Sequence, residues 1–252
     1  GAILDYFVKA TTSEPLALEI LDAKGELVRR YASDDPKPSP PDLQRIQITP
    51  DWVPVPEPPS ASAGMHRFAW DLRNALPPEL VDPSRSFRGL SGPWAPPGRY
   101  TVRLTRGGKA VTQPLVVTKD PRLPSSITDA DLVGQYELAR DIQAMRVRVA
   151  VGLRQAATFR KQLGAAAGLD ELAKKIDRAA GPPPDSPESS DSDPATLRRL
   201  AGSLSELQSV VESADAAPTA DALTAFTDRS KLVDEGLSRW QAVLQAAGEL
   251  SP

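Results

Sequence analysis

Apolar and polar residues alternate along roughly the first 120 positions of the chain, and apolar residues then recur every three or four positions. In Ile3–Lys9 the alternation puts Leu4, Tyr6 and Val8 on one face, as a half-buried strand requires. Leu16, Leu18 and Ile20 form the next such face, and Asp22-Ala23-Lys24-Gly25 then supplies turn chemistry before a return strand at Leu27–Tyr31. Phe68, Trp70 and Leu72 oppose Arg67, Asp71 and Arg73 along 65–73. Tyr100, Val102 and Leu104 alternate in the same way, and Arg106-Gly107-Gly108-Lys109 turns that strand into a partner at 110–117. Several short strands joined by hairpin turns, with no helical period, predict a β-sandwich over 1–122.

The period changes after Asp120-Pro121-Arg122. Ser126 or Thr128 can cap a helix, with Asp129 and Asp131 favourable in its first turn. Leu138, Ile142, Met145, Val149, Gly152, Ala156, Phe159 and Leu163 are spaced alternately by four and three, a coiled-coil seam. Leu169, Leu172, Ile176 and Ala179 continue it after a break near Gly168. Leu197, Leu200, Leu204, Leu207, Val211 and Ala214 make a second seam. Leu223, Phe226, Ser230, Val233, Leu237, Trp240, Leu244 and Ala247 make a third. Three compatible seams over 123–252 predict an antiparallel three-helix, coiled-coil-like bundle. The expected fold class is therefore α+β and multidomain.

Proline refines this picture. Nine of the 26 prolines fall within 35–60, a density that no helix or central strand tolerates, so an extended loop is expected there and a second one over 77–97. The acidic, serine- and proline-rich stretch 181–194 reads as a disordered loop.

Composition then removes whole classes of function. A net charge of −3 argues against a nucleic-acid binder. No stretch approaches the roughly 20 apolar residues that a membrane helix needs. Without cysteine there is no disulfide, thiolate metal site or cysteine nucleophile. The single histidine, His66, lies in a strand and cannot by itself make a zinc site. A serine–histidine–aspartate arrangement would need that same histidine. Asp71 beside Trp70 is the one acid worth weighing for glycoside hydrolysis, and a cross-strand arginine partner is the simpler expectation for it. Asp185, Glu188, Asp191 and Asp193 lack the glycine and terminal glutamate of a calcium-binding EF-hand loop. Gly107-Gly108 reads as a hairpin turn and not a phosphate cradle, since no helix follows it. Arg140, Arg146, Arg148, Arg154 and Arg160 fall mostly off the apolar seam and read as a solvated face. No catalytic residue, metal site or cofactor is expected.

The tryptophans divide into two groups. Trp70 and Trp240 lie on apolar faces and belong to cores. Trp52 and Trp94 sit in the proline-rich loops, where an exposed indole can stack on a sugar ring or anchor a partner, or else fold back over an end of the sandwich. These two are the candidate ligand-binding residues.

Asp5-Tyr6, Leu18-Glu19-Ile20-Leu21-Asp22, Phe68-Ala69-Trp70-Asp71-Leu72-Arg73, Pro97-Gly98-Arg99-Tyr100-Thr101-Val102 and Asp120-Pro121-Arg122 occur in an order that carries a resemblance. The chain resembles the C-terminal tail of large bacterial sortilin-like proteins with bacterial-neuraminidase-type repeats, exported β-propellers often labelled glycosyl hydrolases. The resemblance covers roughly 1–165 well and the rest loosely. It implies an Ig-like module followed by helices, with the propeller upstream in the same polypeptide. It implies a periplasmic or extracellular location. The propeller, where any hydrolase site of that family would lie, is not among these residues, so no catalytic residue carries over. The expectation is a non-catalytic accessory region with a protein or polysaccharide partner. The alternative is a carbohydrate-binding module attached to a glycosyl hydrolase.

Overall fold

The computed structural model describes residues 1–11, 13–37, 49, 57–81, 92–163, 170–182 and 193–248. Among these the chain is α+β, with two antiparallel sheets and four helices. It divides into two compact units, Gly1–Val133 and Gly134–Pro252.

In the first unit, β1 (Ala2–Val8) pairs with β4 (Gly64–Trp70) as a two-stranded sheet. The second sheet orders β3 (Leu27–Ala32), β2 (Leu16–Leu21), β5 (Gly98–Arg106) and β6 (Lys109–Val117) side by side. Both tight hairpins have the expected turn residues. Gly25 closes β2–β3 at φ 81°, and Gly107 and Gly108 close β5–β6 at φ 54° and 71°. The two sheets share one core: Leu4, Phe68 and Trp70 from the small sheet meet Leu18, Ile20 and Tyr100 from the large one. Trp70 is fully buried, meets the edge of Tyr100 at 5.5 Å, and donates its indole N–H to the Arg73 carbonyl at 3.0 Å. A buried indole needs such a partner for its N–H.

The second unit holds most of α1 (Asp129–Leu163), with α2 (Asp170–Ala180), α3 (Leu197–Val211) and α4 (Ala220–Gly248). Of the two possible caps for α1, Thr128 serves: its hydroxyl accepts from Asp131 N at 3.2 Å, and the Asp131 carboxylate accepts from Thr128 N at 2.7 Å. This reciprocal pair is a capping box with aspartate in the glutamate position. The Thr128 backbone N–H and hydroxyl, donating to the Asp131 carboxylate, hold its pKa below the usual value. The residues of the first seam fall in α1 and α2, so the described residues hold four helices where the sequence pattern predicts three.

One core serves α1 to α4, built around Ile142, Val149, Ile176, Leu200, Leu204, Val233 and Trp240. The second seam is buried from Leu197 to Val211, while Ala214 lies past the helix end and is exposed. The third seam holds at Val233, Trp240 and Ala247, which are buried, while Leu223 is 48% exposed and Ala222, Gly236 and Val243 are buried beside the seam. With the partly buried Phe226, Leu237 and Leu244 they make an apolar stripe wider than an a/d seam.

Candidate functional site

The turn that leaves β4 positions the candidate site. Leu72 holds a left-handed backbone conformation, φ 61°, which is uncommon for a residue with a side chain. Neighbouring hydrogen bonds enforce it. Ala95 N donates to the Leu72 carbonyl at 2.7 Å, Asn74 N to the Pro93 carbonyl at 2.9 Å, and Arg73 N to the Asp71 carboxylate at 3.0 Å. Arg73 and Trp94 face each other across an isolated antiparallel bridge. The Arg73 guanidinium carbon lies 3.6 Å from the centroid of the Trp94 ring, a close cation–π stack.

Of the two tryptophans singled out from the sequence, Trp94 is therefore held in place, with 42% of its surface exposed. Trp52 lies outside the described residues. Beside Trp94–Arg73, the Tyr31 hydroxyl donates to the Asp71 carboxylate at 3.4 Å, and the Arg29 guanidinium sits 5.0 Å from the Tyr31 ring. Burial pushes the Tyr31 phenol up to about 12; Arg29 pulls it down, and Asp71 adds a smaller upward push. The result is an aromatic platform with guanidinium, carboxylate and amide groups close by. It can stack against a planar or ring-shaped apolar surface and hydrogen-bond at its rim.

The other chemically interesting residues have structural surroundings. His66 Nε2 donates to the Ser62 carbonyl at 2.8 Å, and its ring lies 5.3 Å from that of Tyr6. Asp71 accepts from a backbone N–H and from a phenol, whereas the arginine paired across β1 and β4 is Arg67, which binds Asp5 through two hydrogen bonds of 2.8 and 3.0 Å. Among the described residues no group of three or more histidine, aspartate and glutamate side chains is placed to hold a metal ion. Asp193 is the one acid of its cluster that is described; it accepts from Ala195 N at 2.9 Å and from Arg239 at 2.5 Å.

Arg140, Arg148 and Arg154 of α1 are exposed, as a solvated face requires, while Arg146 and Arg160 are half-buried. Arg146 donates to Gln208 at 2.6 Å, Arg148 to Asp234 at 2.8 Å, and Arg160 to Asp177 at 2.6 Å and to the Gly181 carbonyl. Their long apolar stems let off-seam residues reach across to neighbouring helices.

Two surfaces stand out for their apolar content. The outer face of the two-stranded sheet carries Ile3, Phe7 and Met65, exposed by 61%, 62% and 69%, around the Asp5–Arg67 pair. A groove of about 870 Å³ runs between α1 and α4, with Val147, Val151 and Leu237 on its walls and Arg148–Asp234 bridging it. Among the described residues no helix is long and apolar enough to cross a membrane. No protein-family model, no curated protein and no solved structure matches the chain.

Proposed function

We propose that these residues form a non-catalytic accessory and interaction region of a larger exported propeller protein of the sortilin-like type. In this reading the first unit is an Ig-like sandwich, and the second is a three-helix bundle elaborated by the short helix α2. The observation that carries it is the apolar outer face of the two-stranded sheet. A sheet face turned to water is ordinarily polar, whereas this one exposes Ile3, Phe7 and Met65 on either side of the Asp5–Arg67 pair, large apolar side chains of the kind that partners cover. The upstream propeller of the same polypeptide is the proposed partner of this face, and the α1–α4 groove gives the helices a second surface of the same character.

The test is direct. The purified chain is expected to turn over no glycoside or peptide substrate, and Phe7→Asp is expected to weaken association with the separately expressed upstream part without changing the circular dichroism of the chain. Measured turnover by the chain itself would sink the reading.

A carbohydrate-binding module is the second reading, and the Trp94–Arg73 stack favours it, because a pinned, partly exposed indole is suited to a sugar ring. It predicts retention of the chain in affinity electrophoresis on a polysaccharide gel and loss of that retention on Trp94→Ala.

A further inference from the structure

Of the helices described, α2 is the shortest: 11 residues, against 35, 15 and 29 in α1, α3 and α4. An isolated helix shorter than about 12–15 residues is marginal in water, so α2 depends on what it packs against. It is sharply two-faced. Leu172, Ile176, Ala179 and Ala180 are buried and join the core that also holds Leu204, Trp240 and Val243. Glu171, Lys174, Lys175 and Arg178 are exposed.

The surroundings of α2 come from all three longer helices. It lies along α4 and touches α3. Its C-terminal end is held by Arg160 of α1, which donates to the Asp177 carboxylate through Nε at 2.9 Å and Nη2 at 2.6 Å, and through Nη2 to the Gly181 carbonyl. Gly181, at φ 84°, and Pro182 then end the helix. The Arg160 side chain is 20% exposed, so the tie is shielded from water and its guanidinium needs an acidic partner there. The three longer helices thus form a groove whose occupant is on view. It is a short amphipathic helix with apolar residues at i, i+4 and i+7 (Leu172, Ile176, Ala179) and a carboxylate at i+5 (Asp177). That spacing is the pattern by which a helix docks into an apolar groove.

We propose that α2 is an autoinhibitory stand-in for a partner's helix. It opens locally while α1, α3 and α4 stay folded. The groove it vacates takes an amphipathic helix of another protein with the same spacing, whose acidic residue replaces Asp177 on Arg160. Opening α2 exposes two large apolar side chains, Leu172 and Ile176, whereas α3 alone buries Leu197, Leu200, Leu204, Leu207 and Val211, so α2 is the element that opens first. This groove is separate from the sheet face proposed above as a partner surface, and it stands whether or not the chain belongs to a propeller protein.

The probe is a synthetic peptide with the sequence of Asp170–Ala180, added to the full chain. Asp177→Ala in the chain removes the acid of α2 and leaves Arg160 and the groove in place. This variant is expected to bind the peptide about tenfold more tightly than the parent, because apparent affinity rises with the fraction of molecules whose groove is open. In the peptide, Asp177→Asn is expected to weaken binding and Ile176→Asp to abolish it. Hydrogen exchange of the parent, which needs no variant to fold, is expected to show α2 amides opening at least about 100-fold more often than those in the middle of α3 and α4. The proposal is overturned if α2 exchanges no faster than α3 and α4, or if the parent and Asp177→Ala bind the peptide alike or not at all. Undiminished binding of the Ile176→Asp peptide overturns it as well. Dimerisation of the Asp177→Ala chain without peptide would assign the groove to a second copy of this chain and equally overturn it.

Discussion

Gly236 of α4 lies directly against the main chain of Ala195 at the start of α3. A Cβ built on Gly236 would collide with the Ala195 carbonyl oxygen and come within 2.8 Å of Leu200 Cδ1. The close approach of the two helices at this point therefore depends on the absent side chain. Gly202, in the middle of α3, meets nothing within 4 Å. The two glycines make a matched test, because alanine gains the same helix propensity at both, about 1 kcal/mol. Gly202→Ala is expected to stabilise the chain by most of that amount. Gly236→Ala is expected to destabilise it by about 1–3 kcal/mol, since the backbone oxygen cannot move aside without shifting α3. Urea denaturation of both variants checks the sign reversal; equal shifts would remove the packing argument.

The C-terminus of α3 is completed from α1. Gln135 is buried, and its amide donates to the carbonyls of Val211 at 2.6 Å and Ala214 at 2.5 Å. Carbonyls at a helix end have no intrahelical partner and need one from elsewhere. Gln135→Leu keeps the approximate volume and removes both donors. It is expected to cost about 1–3 kcal/mol, the desolvation penalty of a buried acceptor left unpaired. Faster hydrogen exchange in the last turn of α3, with the rest of α3 unchanged, is the accompanying signature.

Much of this architecture is legible in the amino-acid sequence where side-chain period alone determines burial. The period-two faces Leu4–Tyr6–Val8 and Leu16–Leu18–Ile20 sit inward as the alternation requires, and Ile142, Val149, Leu200 and Leu204 occupy their seam as the heptads require. Period does not specify how many neighbours a helix has. The inward line of α4 therefore runs through Ala222, Gly236 and Val243, beside the expected Leu223, Leu237 and Leu244, because its stripe is broad and small residues mark where helices come closest. Arg146 and Arg160 look solvated from their spacing and become interhelical ties because their reach exceeds the distance to the next helix. The Trp94–Arg73 stack had one readable half, an aromatic residue in a proline-rich loop. The other half depends on the left-handed turn at Leu72, and a leucine gives no sign of that conformation. The unequal size of the two sheets, two strands against four among the described residues, has no local signal at all, since it comes from which strands pair.

The stack itself makes a prediction about Trp94. Arg73→Ala removes the guanidinium from above the indole while Asp71 keeps its bond to the backbone N–H at position 73. A cation–π contact at an exposed site contributes about 0.5–1 kcal/mol, so global stability should fall only slightly. Acrylamide quenching of Trp94 fluorescence should rise clearly, measured in a background where the other tryptophans are phenylalanine. Quenching unchanged from the parent would mean that Arg73 does not cover the ring. If the platform binds sugars, the same variant weakens binding through loss of preorganisation, and Arg73→Lys restores little, since a lysine ammonium lacks the planar surface that stacks.

The raised pKa of Tyr31 makes the stability of the first unit depend on alkaline pH. Its phenol is raised from an ordinary value of 10 to about 12, with burial as the largest cause. A group whose pKa is higher in the folded state favours folding fully below its unfolded pKa. Above pH 10 the unfolded chain loses this proton while the folded one retains it, so the contribution declines as pH rises from 10 and is gone above about 12. Chemical denaturation of the parent should therefore show stability falling across that window. Tyr31→Phe should have lower stability near neutral pH, through loss of the bond to Asp71, and a flatter profile from pH 10 to 12. Ultraviolet titration gives an independent reading, because the latest phenolate signal to appear in the parent should be missing from the variant. If parent and variant decline in parallel, Tyr31 is not the group responsible.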